Sequence, residues 1–329
     1  MNTPPDFVGR HHRLVVTGAS GTLGRNVIAK VLGWNQSEVA VLALVRAHSK
    51  MVPMPPNVTI QEVDFADRQQ IDAALQQFNP TCVVHCAASG MQFRRPAWFD
   101  MVRFNVDVSL NLCESVSRVS GCQFIYISTG LAYRDQKRPL RENDALDTQH
   151  PYGASKAAAD ILIRSAAAEF GVPLTVFRPF SFSGLGDTSS RLFPSLLRAA
   201  EARQPFHMTA GDQVRDHCAV ADIAQGVSQA VLQRAQSPEQ AKVFNLGSGS
   251  RKPLRSLVED VVSELGLVIE LSFGGRPLTK FEPKHLVADI TCAQAELDWR
   301  PRVNFAYAVW QLARESFPSL NLKQPTQWL

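Results

Sequence analysis

The amino-acid sequence predicts an α/β fold: a doubly wound parallel sheet followed by a smaller mixed α/β C-terminal lobe. Three observations predict it. Residues 13–24 read RLVVTGASGTLG, an apolar run that stops at a glycine-rich turn where a helical pattern begins at once. Over the first half of the chain, short and nearly continuous apolar runs alternate with helix-length segments, as expected of parallel strands covered on both faces. From Pro179 the texture changes, and residues 179–187 are rich in Gly, Ser and Pro, which marks a loop leaving the sheet.

The elements follow in order. A helix continues from the opening turn through 25–32, and residues 39–45, VAVLALV, form a second strand. A third strand over 58–63 ends at Asp64, a helix covers 68–78, and 82–88 is a fourth strand. A long helix spans 98–119, and a strand at 124–127 ends in Ser128-Thr129. The helix over 152–170 is bounded by Pro151 on one side and by Gly171 and Pro173 on the other, and it feeds a strand at 174–178. Residues 1–178 are thus expected to be a Rossmann dinucleotide-binding domain, completed by about 216–247, and 179–329 a substrate-binding lobe. Within that lobe the pattern predicts helices at 222–234, 254–265, 291–297 and 305–317, and a strand at 242–246.

Composition narrows the function. A chain of 329 residues suits two lobes, because single cores stop growing at about 250–300 residues. Hydrophobic content of 45% with 19% charged residues is that of an ordinary globular protein. A net charge of +4 without a Lys/Arg cluster gives no nucleic-acid footprint. Cys82, Cys86, Cys113, Cys122, Cys218 and Cys292 form no CxxC pair and several sit in apolar runs, so buried free thiols are expected. The first 12 residues lack a signal-peptide core and no run reaches the roughly 20 apolar residues of a membrane span, which points to a cytoplasmic protein. His85, His207, His217 and His285 lack metal-ligand spacing, so no metal is expected.

The glycine turn carries the first functional expectation. Gly18, Gly21 and Gly24, with Ser20, Thr22 and Leu23 between them, allow a tight turn, close approach of a pyrophosphate and packing of helix on strand. An acidic residue ending the second strand would bind the ribose hydroxyls of NAD. Here the strand ends Leu44-Val45-Arg46, and a guanidinium suits a 2′-phosphate, with Ser20, Ser49 or Lys50 adding hydrogen bonds. NADP(H) is therefore the preferred cofactor, with NAD(H) as the alternative.

Tyr152 and Lys156 are four residues apart at a helix start and share a face. Thr129 ends the preceding strand at the carboxyl edge, where open α/β sheets place ligands. A Lys ammonium and a nicotinamide cation would favour the phenolate of a Tyr whose ordinary pKa is near 10. Tyr152 could then exchange a proton with a carbonyl or hydroxyl, Lys156 could also hold the nicotinamide ribose, and Thr129 could hydrogen-bond the reacting oxygen.

Through residues 17–24 (TGASGTLG), Asp64, 85–88 (HCAA), Asn105, Ser128-Thr129 and 152–156 (YGASK), the chain resembles the extended short-chain dehydrogenases/reductases over nearly its full length. That resemblance implies that Asp64 and Phe65 flank the adenine, that Ala87 and Ala88 line the cofactor, and that Asn105 supports the active-site helix. The lobe after Pro179 resembles the nucleotide-sugar epimerase/dehydratase/ketoreductase branch through 178–184 (RPFSFSG), 211–216 (GDQVRD), 220–224 (VADIA), 244–249 (FNLGSG) and 297–301 (LDWRP). It implies a nucleoside-diphosphate sugar as substrate, with Ser181, Arg215 and Arg276 as substrate-binding residues, the two arginines gripping the diphosphate, and a homodimer built on the helices over 98–119 and 152–170.

Departures refine the expectation. Dehydratases of this branch carry Asp-Glu after the catalytic Thr, whereas Gly130-Leu131 follow Thr129 here. Arg134 and Ala221 also replace the Gly and Asp usual in the family. The expected activity is an NADPH-dependent 4-ketoreductase of an NDP-6-deoxy-4-ketohexose, as in deoxysugar biosynthesis. An NAD-dependent epimerase is the alternative, followed by a phenolic-type ketone reductase and a non-catalytic NADP-sensing module.

Overall fold

A computed structural model describes residues 12–34, 39–47, 53–90, 97–187, 191–233 and 241–329. In chain order its strands include β1 (His12–Thr17), β2 (Val39–Val45), β3 (Val58–Glu62), β4 (Cys82–His85), β5 (Gln123–Ile127), β6 (Leu174–Pro179), β7 (Ser181–Ser183), β8 (Phe206–Met208), β9 (Val214–Arg215), β10 (His217–Ala219) and β11 (Lys242–Leu246). Its helices include α1 (Thr22–Trp34), α2 (Arg68–Phe78), α3 (Trp98–Val102), α4 (Val108–Ser117), α5 (Pro151–Phe170), α6 (Leu192–Glu201), α7 (Val220–Gln233), α8 (Leu254–Leu265), α9 (Thr291–Leu297) and α10 (Phe305–Ser316).

Seven parallel strands form the central sheet in the order β11-β6-β5-β4-β1-β2-β3. The inner strands are apolar on both faces because side chains alternate and both faces are covered, whereas edge strand β3 leaves Thr59, Ile60 and Glu62 exposed. Leu14, Val16, Val41, Val84 and Ile125 pack with Val27 and Val31 of α1 and Val227 and Val231 of α7. Val15, Leu42, Leu44, Val83 and Phe124 pack on the opposite face with Ile71 and Leu75 of α2, Leu112 of α4 and Ile163 of α5. The chain order reverses beside β1, so β1 and β4 diverge at their carboxyl ends and open the crevice in which such sheets bind ligands. A third core packs Phe193, Leu196 and Leu197 of α6 against Val258 of α8 and Val309 of α10.

Helix α5 is well delimited. Nδ1 of His150 accepts the Gly153 N–H at 3.3 Å, Pro151 occupies the first turn, and Gly171 closes the helix in the left-handed conformation with φ 68°.

Several elements differ from the sequence expectation. The helix over 98–119 is divided: a five-residue π-helical stretch, Arg103–Asp107, separates α3 from α4. The fourth strand stops at His85, because beyond Cys86, whose N–H still reaches Thr17 O, the backbone leaves β1 to line the crevice. Helix α6 went unforeseen. Its helical spacing, Phe193, Leu196, Leu197 and Ala200, was masked by the Ser/Gly-rich stretch before it. Position 234, the expected end of α7, lies outside the described residues. Trp98, Phe99 and Val102 of α3 and Ile161 and Leu162 of α5 are exposed apolar side chains. Among the described residues no helix is long and apolar enough to cross a membrane, and no group of His, Cys, Asp and Glu could hold a metal ion.

Candidate active site

The glycine turn forms a close-fitting cradle. Gly18 has φ 67°, and a Cβ on it would lie 2.7 Å from Ala87 N; a Cβ on Gly24 would lie 2.3 Å from Gly18 O. No acidic residue occupies the first turn of α1, so its amide dipoles face the cleft without an internal counter-charge. The adjoining cleft has a volume of about 650 Å³ and is walled by Gly18, Gly21, Thr22, Leu23, Gly24, Arg46, Ala88, Thr129, Tyr152 and Ser181. Turn and cleft together fit a dinucleotide.

Other predicted residues stand outside that wall. Asp64 is exposed, and its Oδ1 accepts the Ala66 N–H at 2.9 Å. Phe65 is 3% exposed, and its ring packs in the core with Leu42 and Leu44, which leaves its backbone as the part that could flank an adenine. Ala87 donates its N–H to Thr17 Oγ1 at 3.4 Å. Asn105 donates from Nδ2 to Ser155 Oγ at 2.9 Å and to Ser89 O at 2.8 Å. Ser20 lies in the turn away from the wall, and Ser49 and Lys50 lie outside the described residues.

Thr129 lies two residues beyond β5 and caps a short 3₁₀ turn, Gly130–Ala132, by accepting the Leu131 N–H on Oγ1 at 3.2 Å. Thr129 also lines the cleft. Tyr152 is 8% exposed at the cleft wall, and burial pushes its phenol up to about 12, with the Arg191 guanidinium opposing. Lys156 is 1% exposed, with Nζ 4.1 Å from the centroid of the Tyr126 ring. Burial lowers its pKa to about 7 against the pull of Asp160 and Cys86.

The expectation that a Lys ammonium and a nicotinamide cation favour the Tyr152 phenolate meets a protein environment in which the Lys156 ammonium itself does not act on Tyr152. Desolvation disfavours the charged form of both groups, the ammonium rests on Tyr126, and the charge that acts on Tyr152 is that of Arg191.

A buried ammonium has a cost in stability. Because the folded-state value of Lys156 lies below its ordinary one, the unfolded chain binds the extra proton between about pH 7 and 10.5; the penalty is full below 7 and fades as pH rises through that window. Lys156→Met is expected to raise Tm at pH 6 by at least about 3 °C, and by less near pH 10. A thermal-unfolding series with no gain at pH 6 would contradict this.

The predicted substrate residues are not brought together. Ser181 lines the cleft. Arg215 is 7% exposed, pairs with Glu282 Oε1 at 3.1 Å, and lines a separate cavity of about 280 Å³. Arg276 is exposed and anchored by its backbone N–H to Met208 O at 3.1 Å. The expected two-arginine grip is thus absent from the cleft wall, since the charge of Arg215 is already matched by Glu282.

Sequence reasoning missed Arg191, which lines the cleft, pairs with Asp187 at 2.9 Å and donates to Phe182 O at 3.1 Å. It also missed the buried pair Asp160–Arg178, although Asp160 lies four residues beyond Lys156 on the same helix face. No local motif announced Arg191, which is set by the loop preceding α6.

A Rossmann sheet with a glycine turn, a Tyr-x-x-x-Lys pair opening α5 and a Thr just beyond β5 defines an extended short-chain dehydrogenase/reductase. The family model for the NAD dependent epimerase/dehydratase family matches residues 14–247, and the chain belongs to that family. It is 23% identical over 312 residues to a UDP-glucose 4-epimerase of Lactobacillus helveticus, covering 88% of this chain and 92% of that protein. It is 24% identical over 330 residues to a dTDP-glucose 4,6-dehydratase of Haemophilus influenzae, covering 92% and 96%. Among solved structures, MoeE5 in complex with UDP-glucose and NAD shares the fold with a TM-score of 0.80 at 23% identity, covering 94% of this chain and 100% of that one.

Proposed function

We propose that this chain reduces a keto carbon of a nucleoside-diphosphate sugar with NADPH, C4 of an NDP-6-deoxy-4-ketohexose being the preferred substrate. The observation that carries this reading is the wall beside Thr129. Gly130 and Leu131 follow it, and a Cβ on Gly130 would lie 2.9 Å from the Phe180 ring, so no carboxylate side chain fits at that position without displacing the ring. Asp187, a carboxylate in the wall, is taken up by Ser183 Oγ at 2.8 Å and by Arg191 at 2.9 Å. Water elimination therefore lacks the acid and base that flank the sugar in a dehydratase.

Hydride transfer with proton donation is the chemistry left. A bound nicotinamide supplies the hydride. Thr129 and Tyr152 both line the cleft, where their hydroxyls can hold the carbonyl oxygen, and Tyr152, its pKa raised to about 12, delivers its proton as the alkoxide forms. Lys156 steadies the ribose side of the dinucleotide.

Epimerisation is the second reading. It is supported by the UDP-glucose 4-epimerase relative and by the NAD in the MoeE5 complex. Against it stands Arg46, exposed at the end of β2 in the cleft wall with its guanidinium carbon 4.9 Å from the Phe104 ring centroid, where a 2′-phosphate would meet a cation. NADPH is expected to bind at least about tenfold more tightly than NADH, and Arg46→Asp to reverse that order. Fluorescence titrations giving equal or tighter NADH binding by the unaltered chain would sink the NADPH assignment.

A further inference from the structure

Behind the cleft wall runs a buried hydrogen-bonded chain in which Thr17, His85 and Ser109 have no expected role. Thr17, the residue before Gly18, is 2.6 Å through Oγ1 from His85 Nδ1, and His85 Nε2 is 2.9 Å from Ser109 Oγ. Ser109 Oγ in turn is 2.7 Å from Asn105 O, one helical turn back. Thr17, His85, Asn105 and Ser109 are all 0% exposed.

The direction of every bond is set by its last partner. A carbonyl only accepts, so Ser109 spends its hydroxyl proton on Asn105 O, and its oxygen must take a proton from His85 Nε2. His85 then carries its hydrogen on Nε2, and its bare Nδ1 accepts from Thr17 Oγ1, whose oxygen receives the Ala87 N–H at 3.4 Å. An imidazolium would turn Nδ1 into a second donor and reverse the Thr17 bond.

The surroundings favour the neutral ring. It stacks between Phe124 and Tyr126 at centroid distances of 6.2 and 5.9 Å. Burial, helped by the Lys156 ammonium, holds its pKa down to about 3.

Both ends of this chain reach the chemistry. At one end Thr17 leads directly into the Gly18 turn. At the other, Asn105 sits in the π-helical stretch, a distortion that recurs at functional sites. Its side chain accepts the Ser89 N–H at 2.8 Å on Oδ1 and donates to Ser155 Oγ at 2.9 Å, and Ser155 Oγ donates to Tyr152 O at 2.9 Å.

We propose that His85, as a neutral Nε2–H imidazole, is a positioning residue that fixes the glycine turn relative to the first turn of α5, and so the dinucleotide relative to Tyr152. This rests on reading the cleft as a dinucleotide site. The tautomer itself does not depend on that reading and can be tested separately.

Nitrogen NMR of histidine-labelled full-length protein reads it without any substitution. One protonated and one bare ring nitrogen, unchanged between pH 5 and 8 and assigned to Nε2–H, is expected for His85; a titrating ring or an Nδ1–H tautomer would overturn the proposal. Two variants then read the positioning. His85→Phe keeps the ring stacking and loses both bonds, and should weaken NADPH binding and lower kcat about tenfold each with the far-ultraviolet circular dichroism retained. His85→Gln keeps a donor for Ser109 and should recover kcat while leaving NADPH binding weak. Native values in His85→Phe, or equal losses of both quantities in the two variants, would refute the role. A failure of the native chain to bind NADPH at all, with the Nε2–H tautomer present, would instead refute the cofactor reading.

Discussion

Tyr152→Phe is expected to lower turnover by about 10²–10⁴-fold while leaving the Kd for NADPH within about twofold of the native value. The substitution removes one hydroxyl and keeps the ring. The Tyr152 hydroxyl has its pKa raised by burial, and the Arg191 charge opposes that shift. Its loss removes the proton and one of the two hydroxyls that face the reacting oxygen, and Thr129 remains to orient the carbonyl. Kinetics and titration on the same preparation separate the effects. A variant turning over at more than a tenth of the native rate would show that another group supplies the proton.

Arg178→Met is expected to cost about 3–5 kcal/mol, lowering Tm by on the order of 10 °C. Arg178 is 1% exposed and donates to both carboxylate oxygens of Asp160, at 2.8 and 2.9 Å, and to Tyr133 Oη and Glu142 O, each at 2.8 Å. Tyr133 Oη passes its proton to Asn245 Oδ1 at 2.7 Å, so this cluster ties α5 to β6, to β11 and to the loop after β5. Removing the guanidinium leaves Asp160 buried with Arg164, at 2.9 Å, as its remaining ion-pair partner. Converting Asp160 to Leu in the same chain should recover part of the loss, because the uncompensated carboxylate, more than the missing bonds, carries the cost. Denaturant unfolding within 1 kcal/mol of native for Arg178→Met would contradict this account.

How much of this was legible in the sequence depended on distance along the chain. The Gly18–Gly24 turn, the β-α alternation and the Tyr152–Lys156 spacing are local patterns, and periodicity fixes them before any tertiary contact forms. Helix bounds at α8 and α9 follow from apolar spacing and from the left-handed caps at Gly266 and Asp298. The π-helical break at 103–107 has no Pro or Gly to announce it; Asn105 within it bonds Ser89 and Ser155, which lie 16 and 50 residues away in sequence. Electrostatic roles were the least legible. Spacing puts Lys156 and Tyr152 on one face but says nothing of Tyr126 beneath the ammonium, and the pairing of Arg215 with Glu282, 67 residues away, could not be read from the motif around it.

The most direct test of the proposed activity follows NADPH absorbance and sugar products together, with a panel of nucleoside-diphosphate-linked 4-keto-6-deoxyhexoses. A ketoreductase oxidises one NADPH for each sugar reduced. Interconversion of nucleotide sugars without net NADPH oxidation, or tight NADPH binding with no turnover on any member of the panel, would contradict it.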